Sequence, residues 1–182
     1  MLRHFIFSLV LIASPLQAAD LDLLKAPGNA LLLRHALAPG VGDPANFDLN
    51  DCDTQRNLSA EGRRQARQIG ERLREAGISK TKVYSSQWCR CMETAALLEF
   101  GEPIPLPTIN SFFRSTQDDA ESKATAGFLE HLKNNDGEVT IYITHQVNLT
   151  ALLGGFAYSG NGYIVGLDEH GQPVVLSEFI AD

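Results

Sequence analysis

Short apolar runs of strand length, each stopping abruptly at polar residues and separated by helix-like stretches, dominate the patterning of this chain. Ala30-Leu31-Leu32-Leu33 is uninterrupted and stops at Arg34-His35. Thr140-Ile141-Tyr142-Ile143-Thr144 is rich in β-branched residues and stops at His145. Runs this short, with no polar alternation, suit strands buried on both faces of a mostly parallel sheet. Residues 82–85 supply another short strand, closing on Ser85-Ser86.

Helical signals fill the gaps. Ser59 reads as an N-cap with Glu61 in the first turn, and Ala66, Ile69, Leu73 and Ala76 follow at helical spacing until Gly77. A second helix is expected over 91–100, a third over 124–132 and a short one near 148–153. Residues 163–167 and 174–179 read as a hairpin turned through Asp168-Glu169-His170-Gly171. Strands alternating with helices predict a three-layer α/β/α sandwich with a mostly parallel central sheet and a C-terminal β-hairpin. Ligands of such folds bind beyond the carboxyl ends of the strands. Arg34-His35, Ser85-Ser86 and Thr144-His145 all fall there. Residues 36–57, with Pro39, Gly40, Gly42, Pro44 and several Asp and Asn, form a loop long enough to expect a function of it.

The chain has 182 residues, the size of one domain with a proper core. Its net charge of −7 argues against nucleic acid as a partner, which would need a basic face. An acidic chain holds a phosphate only by gathering its few arginines in one place. Residues 1–19 read as a signal peptide: Arg3-His4, an apolar run from Phe5 to Ala13, then Ser14-Pro15-Leu16-Gln17-Ala18-Ala19. The run is shorter than the ~20 residues of a spanning helix, so residues 20–182 are expected as a periplasmic or secreted domain with no stable membrane anchor after cleavage.

Export would place Cys52, Cys89 and Cys91 in an oxidising compartment, where one disulfide is expected; three reduced thiols are the alternative. Cys91 shares the helical stripe of Trp88, Ala95 and Leu98 and should face the core. Cys89 lies on another face, beside Arg90, near where the loop carrying Cys52 must return. Cys52–Cys89 is therefore the favoured pair. The spacing Cys89-Arg90-Cys91 does not suit a zinc knuckle, and no carboxylate cluster offers to hold a metal. No metal and no cofactor are expected.

Leu33-Arg34-His35-Ala36, then Val83-Tyr84-Ser85-Ser86-Gln87-Trp88-Cys89-Arg90 with Glu93-Thr94-Ala95, and finally Ile143-Thr144-His145 resemble, as a set and in that order, the histidine phosphatase superfamily in its phosphoglycerate-mutase-like branch. Leu58-Ser59, Gly62, Gln65 and Ala66 are similar to that family's first long helix. The resemblance covers residues 30–179. It implies a metal-independent phosphatase in which His35 is the nucleophile that carries the phosphoryl group, while Arg34, Arg90 and His145 surround its oxygens. A guanidinium suits this task because its planar fork makes two parallel hydrogen bonds to phosphate. Arg56 stands where phosphohistidine phosphatases of the superfamily also carry an arginine, and a solvent-exposed residue beside a helix start is the equal alternative. Asn148 reads more readily as part of its helix start than as a pocket residue.

Departures from the family pattern concern the general acid. The mutase-like members place a Glu after the third strand, where this chain has Asn110-Ser111-Phe112-Phe113-Arg114. The acid-phosphatase branch has His-Asp at the second histidine, where this chain has His145-Gln146. Asp118, Asp119 and Glu121 are the remaining candidates, each of which reads individually as surface. Arg-His-Ala together with a Gly-containing C-terminal hairpin is similar to exported lipopolysaccharide core heptose phosphatases, which implies a phosphorylated small-molecule or envelope-sugar substrate. The expected function is a periplasmic phosphomonoesterase. The alternatives are a phosphomutase, and a phosphate-binding or envelope-interaction protein that has lost its general acid.

Overall fold

The computed structural model describes residues 21–113 and 115–181. The segment expected to be a signal peptide lies outside the described residues. Within the described residues six strands form one sheet: β1 Ala30–Arg34, β2 Lys82–Ser85, β3 Ile104–Pro105, β4 Thr140–Thr144, β5 Gly162–Leu167 and β6 Pro173–Phe179. Their spatial order is β3-β2-β4-β1-β5-β6. The first four in that order run parallel, whereas β5 and β6 are antiparallel to their neighbours. Among the described residues, four α-helices cover the sheet: α1 Ala60–Glu75, α2 Cys89–Leu97, α3 Ala120–Lys133 and α4 Gln146–Leu153.

The period-two rule of strands divides the core in two. Leu31, Leu33, Ile141 and Ile143 face one side, where they meet Ile69 and Leu73 of α1 and Cys91 and Ala95 of α2. Ala30, Leu32 and Tyr142 face the other, against Phe128 and Leu132 of α3 and Leu149 of α4. With every side chain of β1 from Ala30 to Leu33 buried, the strand needs an apolar run, and its sequence supplies one. Helix α1 begins as its sequence signals: the Ser59 side chain accepts from the Gly62 N–H at 3.0 Å, and Glu61 sits in the first turn. Gly62 also lets the helix press on the chain after β1, since a Cβ there would lie 2.1 Å from the Leu37 carbonyl oxygen.

Several elements differ from expectation. Helix α2 begins at Cys89 rather than 91, because Trp88 rather than Arg90 ends the extended segment. Helix α3 begins at Ala120, its first turn being polar and exposed and so lacking the apolar spacing that marks a start. The two-residue strand β3 lies in the proline-rich segment, paired at the sheet edge beside β2, where a missing N–H is tolerated.

Candidate active site

The carboxyl ends of β1, β2 and β4 meet above the sheet centre. His35 follows β1 and donates its backbone N–H to Thr144 O at 2.9 Å, so the ends of β1 and β4 are tied together. Arg34 and His35 together with Arg56, Arg90 and His145 line one cavity of about 180 Å³. Gly40, Val41, Gly42 and Asp43 of the long loop, with Ser111, Phe113, Gln146 and Val147, complete its wall.

His35 is buried, with Nδ1 2.8 Å from the Ala36 carbonyl oxygen. A carbonyl accepts only, so Nδ1 carries the proton and Nε2 keeps its lone pair. Burial, and after it the Arg90 guanidinium, push the ring's pKa from 6.5 down to about 3. Neutral imidazole is thus the resting form. Ala36 needs no glycine: the only non-glycine residue with positive φ among the described residues is Glu99. Ala36 is instead fixed by its N–H, which donates to Thr94 Oγ1 at 3.1 Å.

His145 is buried and held at both nitrogens. Ser86 Oγ lies 2.8 Å from Nε2 and Arg90 Nη2 lies 3.5 Å from Nδ1. The Ser86 hydroxyl also reaches Asn110 Oδ1 at 3.2 Å. Burial first, then His35 and Arg90, hold this ring well below the usual histidine range. Cys91 packs beneath it, Sγ 3.5 Å from Nε2, and burial pushes its thiol up to about 12.

Two of the three arginines are anchored by backbone carbonyls and the third by a carboxylate. Arg34 Nη1 donates to Ala157 O at 3.0 Å. Arg56 Nε donates to Gly42 O at 2.9 Å, and its Nη1 donates to Ala38 O. Arg90 is almost fully buried and forms a two-pronged pair with Asp43, at 2.7 and 3.2 Å. Arg34 and Arg90 each retain a buried Nε with no hydrogen-bond partner. Three guanidinium charges against one carboxylate leave the cavity positive, although the chain is acidic. Burial, and then Arg90, lower the pKa of both Arg34 and Arg56, the mark of cations held together.

The long loop is clamped onto the start of α2. Cys52 and Cys89 form a disulfide with Cα atoms 5.7 Å apart, and Cys91 is the free thiol. The Cys89 N–H donates to Gln55 Oε1 at 3.0 Å, and Phe47 stacks on Trp88 with ring centroids 5.1 Å apart.

Asp118, Asp119 and Glu121 are not brought to this cavity. They lie around the start of α3; Asp118 and Glu121 line a separate surface depression against α4, and Asp119 pairs with Lys123 at 2.7 Å. Asn148 is buried but does not line the cavity; its Nδ2 donates to Ile109 O and Asn110 O. Asp43 was not singled out by the sequence, because an acid among Gly40, Gly42 and Pro44 carries no periodicity that marks its direction.

Fold and site together define an α/β protein whose central strand delivers a neutral, buried histidine into an arginine-ringed hollow suited to a tetrahedral oxyanion. Residues 31–112 match the Histidine phosphatase superfamily (branch 1). It is 35% identical over 82 residues to the serine/threonine-protein phosphatase Pgam5, mitochondrial, of Drosophila virilis, a match covering 44% of this chain and 26% of that protein. The chain thus spans about a quarter of that curated relative. The structure of the protein histidine phosphatase SixA complexed with tungstate superposes with a TM-score of 0.59 at 17% identity, over 83% of this chain and 96% of that one. A mutant phosphoserine phosphatase from Entamoeba histolytica in complex with phosphoserine gives a TM-score of 0.63 at 13% identity, over 85% and 98%. At these identities the two structures speak for the fold.

Proposed function

We propose that this chain is a phosphomonoesterase that works through a phosphohistidine on His35. The observation that carries the reading is the tautomer of His35: Nδ1 is committed to Ala36 O, and Nε2 keeps a lone pair beside three guanidinium groups. In-line attack by Nε2 forms the N–P bond as the ester P–O bond breaks, and water then hydrolyses the phosphohistidine. Arg34, Arg90 and His145 stabilise the oxygens on which charge is shared in the transition state, and Arg56 adds a further cation at the rim. The backbone anchors of Arg34 and Arg56 are in place before substrate arrives, so these two guanidinium groups need little reorganisation.

The substrate class is a small or cell-envelope phosphoester, and the place of action is the periplasm or outside the cell. The Cys52–Cys89 disulfide supports an oxidising compartment, as does the signal-like start of the sequence. No helix among the described residues is long and apolar enough to cross a membrane. The competing reading, a phosphate binder without turnover, draws support from the distance of Asp118, Asp119 and Glu121 from the cavity. A binder, however, has no use for a histidine with a free lone pair at its centre.

The experiment is hydrolysis of p-nitrophenyl phosphate, whose leaving group needs little acid assistance, followed by a screen of sugar phosphates. His35→Ala abolishes turnover, and Arg34→Ala or Arg90→Ala costs on the order of 10²-fold or more. EDTA leaves turnover unchanged. Wild-type rates in the His35→Ala protein would sink the mechanism.

A further inference from the structure

Among the described residues, Asp43 is the single carboxylate that lines the cavity. Its Oδ1 accepts from Arg90 Nη1 at 2.7 Å and from the Arg56 backbone N–H at 3.0 Å. Its Oδ2 accepts from Arg90 Nη2 at 3.2 Å and from the Trp88 indole at 3.1 Å. Both terminal nitrogens of Arg90 are therefore committed to Asp43, in the forked geometry that equally fits two phosphoryl oxygens. A phosphoryl group and Asp43 compete for one guanidinium. Resting on the phosphatase reading, we infer that the entering phosphoryl group displaces Asp43 from Arg90, and that Asp43 then takes a proton and delivers it to the leaving-group oxygen.

The loop is built for a short swing of this side chain and no more. Gly42, its neighbour, has φ +73°, a conformation that costs glycine little. Beyond it the loop is held by Arg56, by Phe47 on Trp88 and by the Cys52–Cys89 bond. Asp43 is faced by Arg90 of α2, by Trp88 just before that helix and by Arg56 from the end of its own loop. Across the cavity stand Arg34 and His35 at the end of β1 and His145 at the end of β4. Burial favours the neutral acid, but the Arg90 and Arg56 hydrogen bonds outweigh it and keep the carboxyl below the usual aspartate range. A phosphoryl group reverses that balance twice: it takes Arg90 away and sets negative charge beside Asp43.

The steps balance. The proton reaches Asp43 from the monoanionic ester or from solvent. As the Nε2 lone pair of His35 forms the N–P bond, the P–O bond breaks with its electron pair on the leaving oxygen, which accepts the Asp43 proton and departs as an alcohol. The carboxylate then accepts a proton from water as the water oxygen bonds to phosphorus, and the N–P electron pair returns to Nε2.

Two measurements on the oxidised protein test this. The first is calorimetric titration with sulfate, which is fully ionised near pH 6, in buffers of different ionisation enthalpy. Wild type takes up about one proton per sulfate bound, and Asp43→Asn takes up almost none. Equal uptake by the Asn variant would assign the proton to His35 or His145 and overturn the proposal. The second compares an alkyl phosphate with p-nitrophenyl phosphate. Asp43→Asn lowers kcat/KM for the alkyl ester at least about tenfold more than for the aryl ester, and Asp43→Glu restores part of the difference. Equal losses on both esters reduce Asp43 to a positioning role and also overturn the proposal. A wild-type protein that hydrolyses neither ester overturns the phosphatase reading and the acid role with it, while the sulfate titration still decides whether an anion displaces Asp43.

Discussion

Gln146 holds Ala157: its Oε1 accepts from the Ala157 N–H at 2.9 Å, and the Ala157 carbonyl accepts from Arg34 at 3.0 Å. The amide's other end donates to Gly155 O at 3.1 Å. A residue with both a donor and an acceptor is required to bridge these two backbone groups, so an amide stands beside His145. Gln146→Ala frees the 155–157 turn and with it the anchor of Arg34. Losing one to two hydrogen bonds, about 1–2 kcal/mol, raises KM for a phosphoester roughly 5- to 30-fold. Gln146→Glu, which keeps the acceptor, gives a smaller rise. Steady-state kinetics on p-nitrophenyl phosphate reads both.

Acid destabilises this protein through its two site histidines. The pKa of His35 falls from 6.5 to about 3 on folding, chiefly by burial, and that of His145 also falls. A lowered folded value means that the unfolded chain binds protons that the native state refuses. The contribution of His35 to stability is therefore complete above about pH 6.5 and is lost as pH falls toward 3. Each histidine contributes a slope of at most about 1.4 kcal/mol per pH unit in that window. Thermal midpoints measured from pH 7 to 4 should decline, and His35→Asn should decline less steeply. Parallel curves would show that His35 is not held neutral by the fold.

Reduction loosens the loop rather than the chemistry. The Cys52–Cys89 bond closes a separation of 37 residues, for which the chain-entropy estimate is about 3–4 kcal/mol. Cys52→Ser should lower the denaturant midpoint by that equivalent, and dithiothreitol should do the same to wild type. Wild type in dithiothreitol and the Cys52→Ser protein should match in residual activity.

Gly62→Ala tests the contact between α1 and the chain after His35. A Cβ at 2.1 Å from the Leu37 oxygen forces the helix and that segment apart. Overpacking of this kind costs about 1–3 kcal/mol, read by denaturant unfolding. Activity should fall as well, because Leu37 lies two residues from the proposed nucleophile. The neighbouring Glu61→Ala, at an exposed position, should change neither.

What was legible in the chain was what periodicity and adjacency encode. The apolar runs ending at Arg34-His35 and Thr144-His145 located β1, β4 and the mouth of the site, because a strand buried on both faces leaves its first polar residues at its exit. The pairing of Cys52 with Cys89 followed from the helical faces of Cys89 and Cys91, and the structure contains that bond. Asp43 was illegible for the opposite reason. Its direction is set by contacts made 47 residues away, at Arg90, and no local pattern records them. Asp118, Asp119 and Glu121, each of which reads singly as surface, lie away from the cavity, because nearness in sequence to the expected position of an acid says nothing about the direction in which the start of α3 faces.

The hydrogen bonds about the end of β1 have a further consequence. His35 N–H is bonded to Thr144 O on one flank, and Gly160 N–H lies 3.1 Å from both the Arg34 and His35 carbonyl oxygens on the other. The backbone that presents the imidazole is thus gripped from the parallel half of the sheet and from the approach to its antiparallel half at once. Its amide should exchange with deuterium only when the whole domain opens, whereas amides near Val41 in the overlying loop should exchange early. The backbone is firmly bonded beside the proposed nucleophile, whereas the chain is exposed at Val41, on the rim of the cavity.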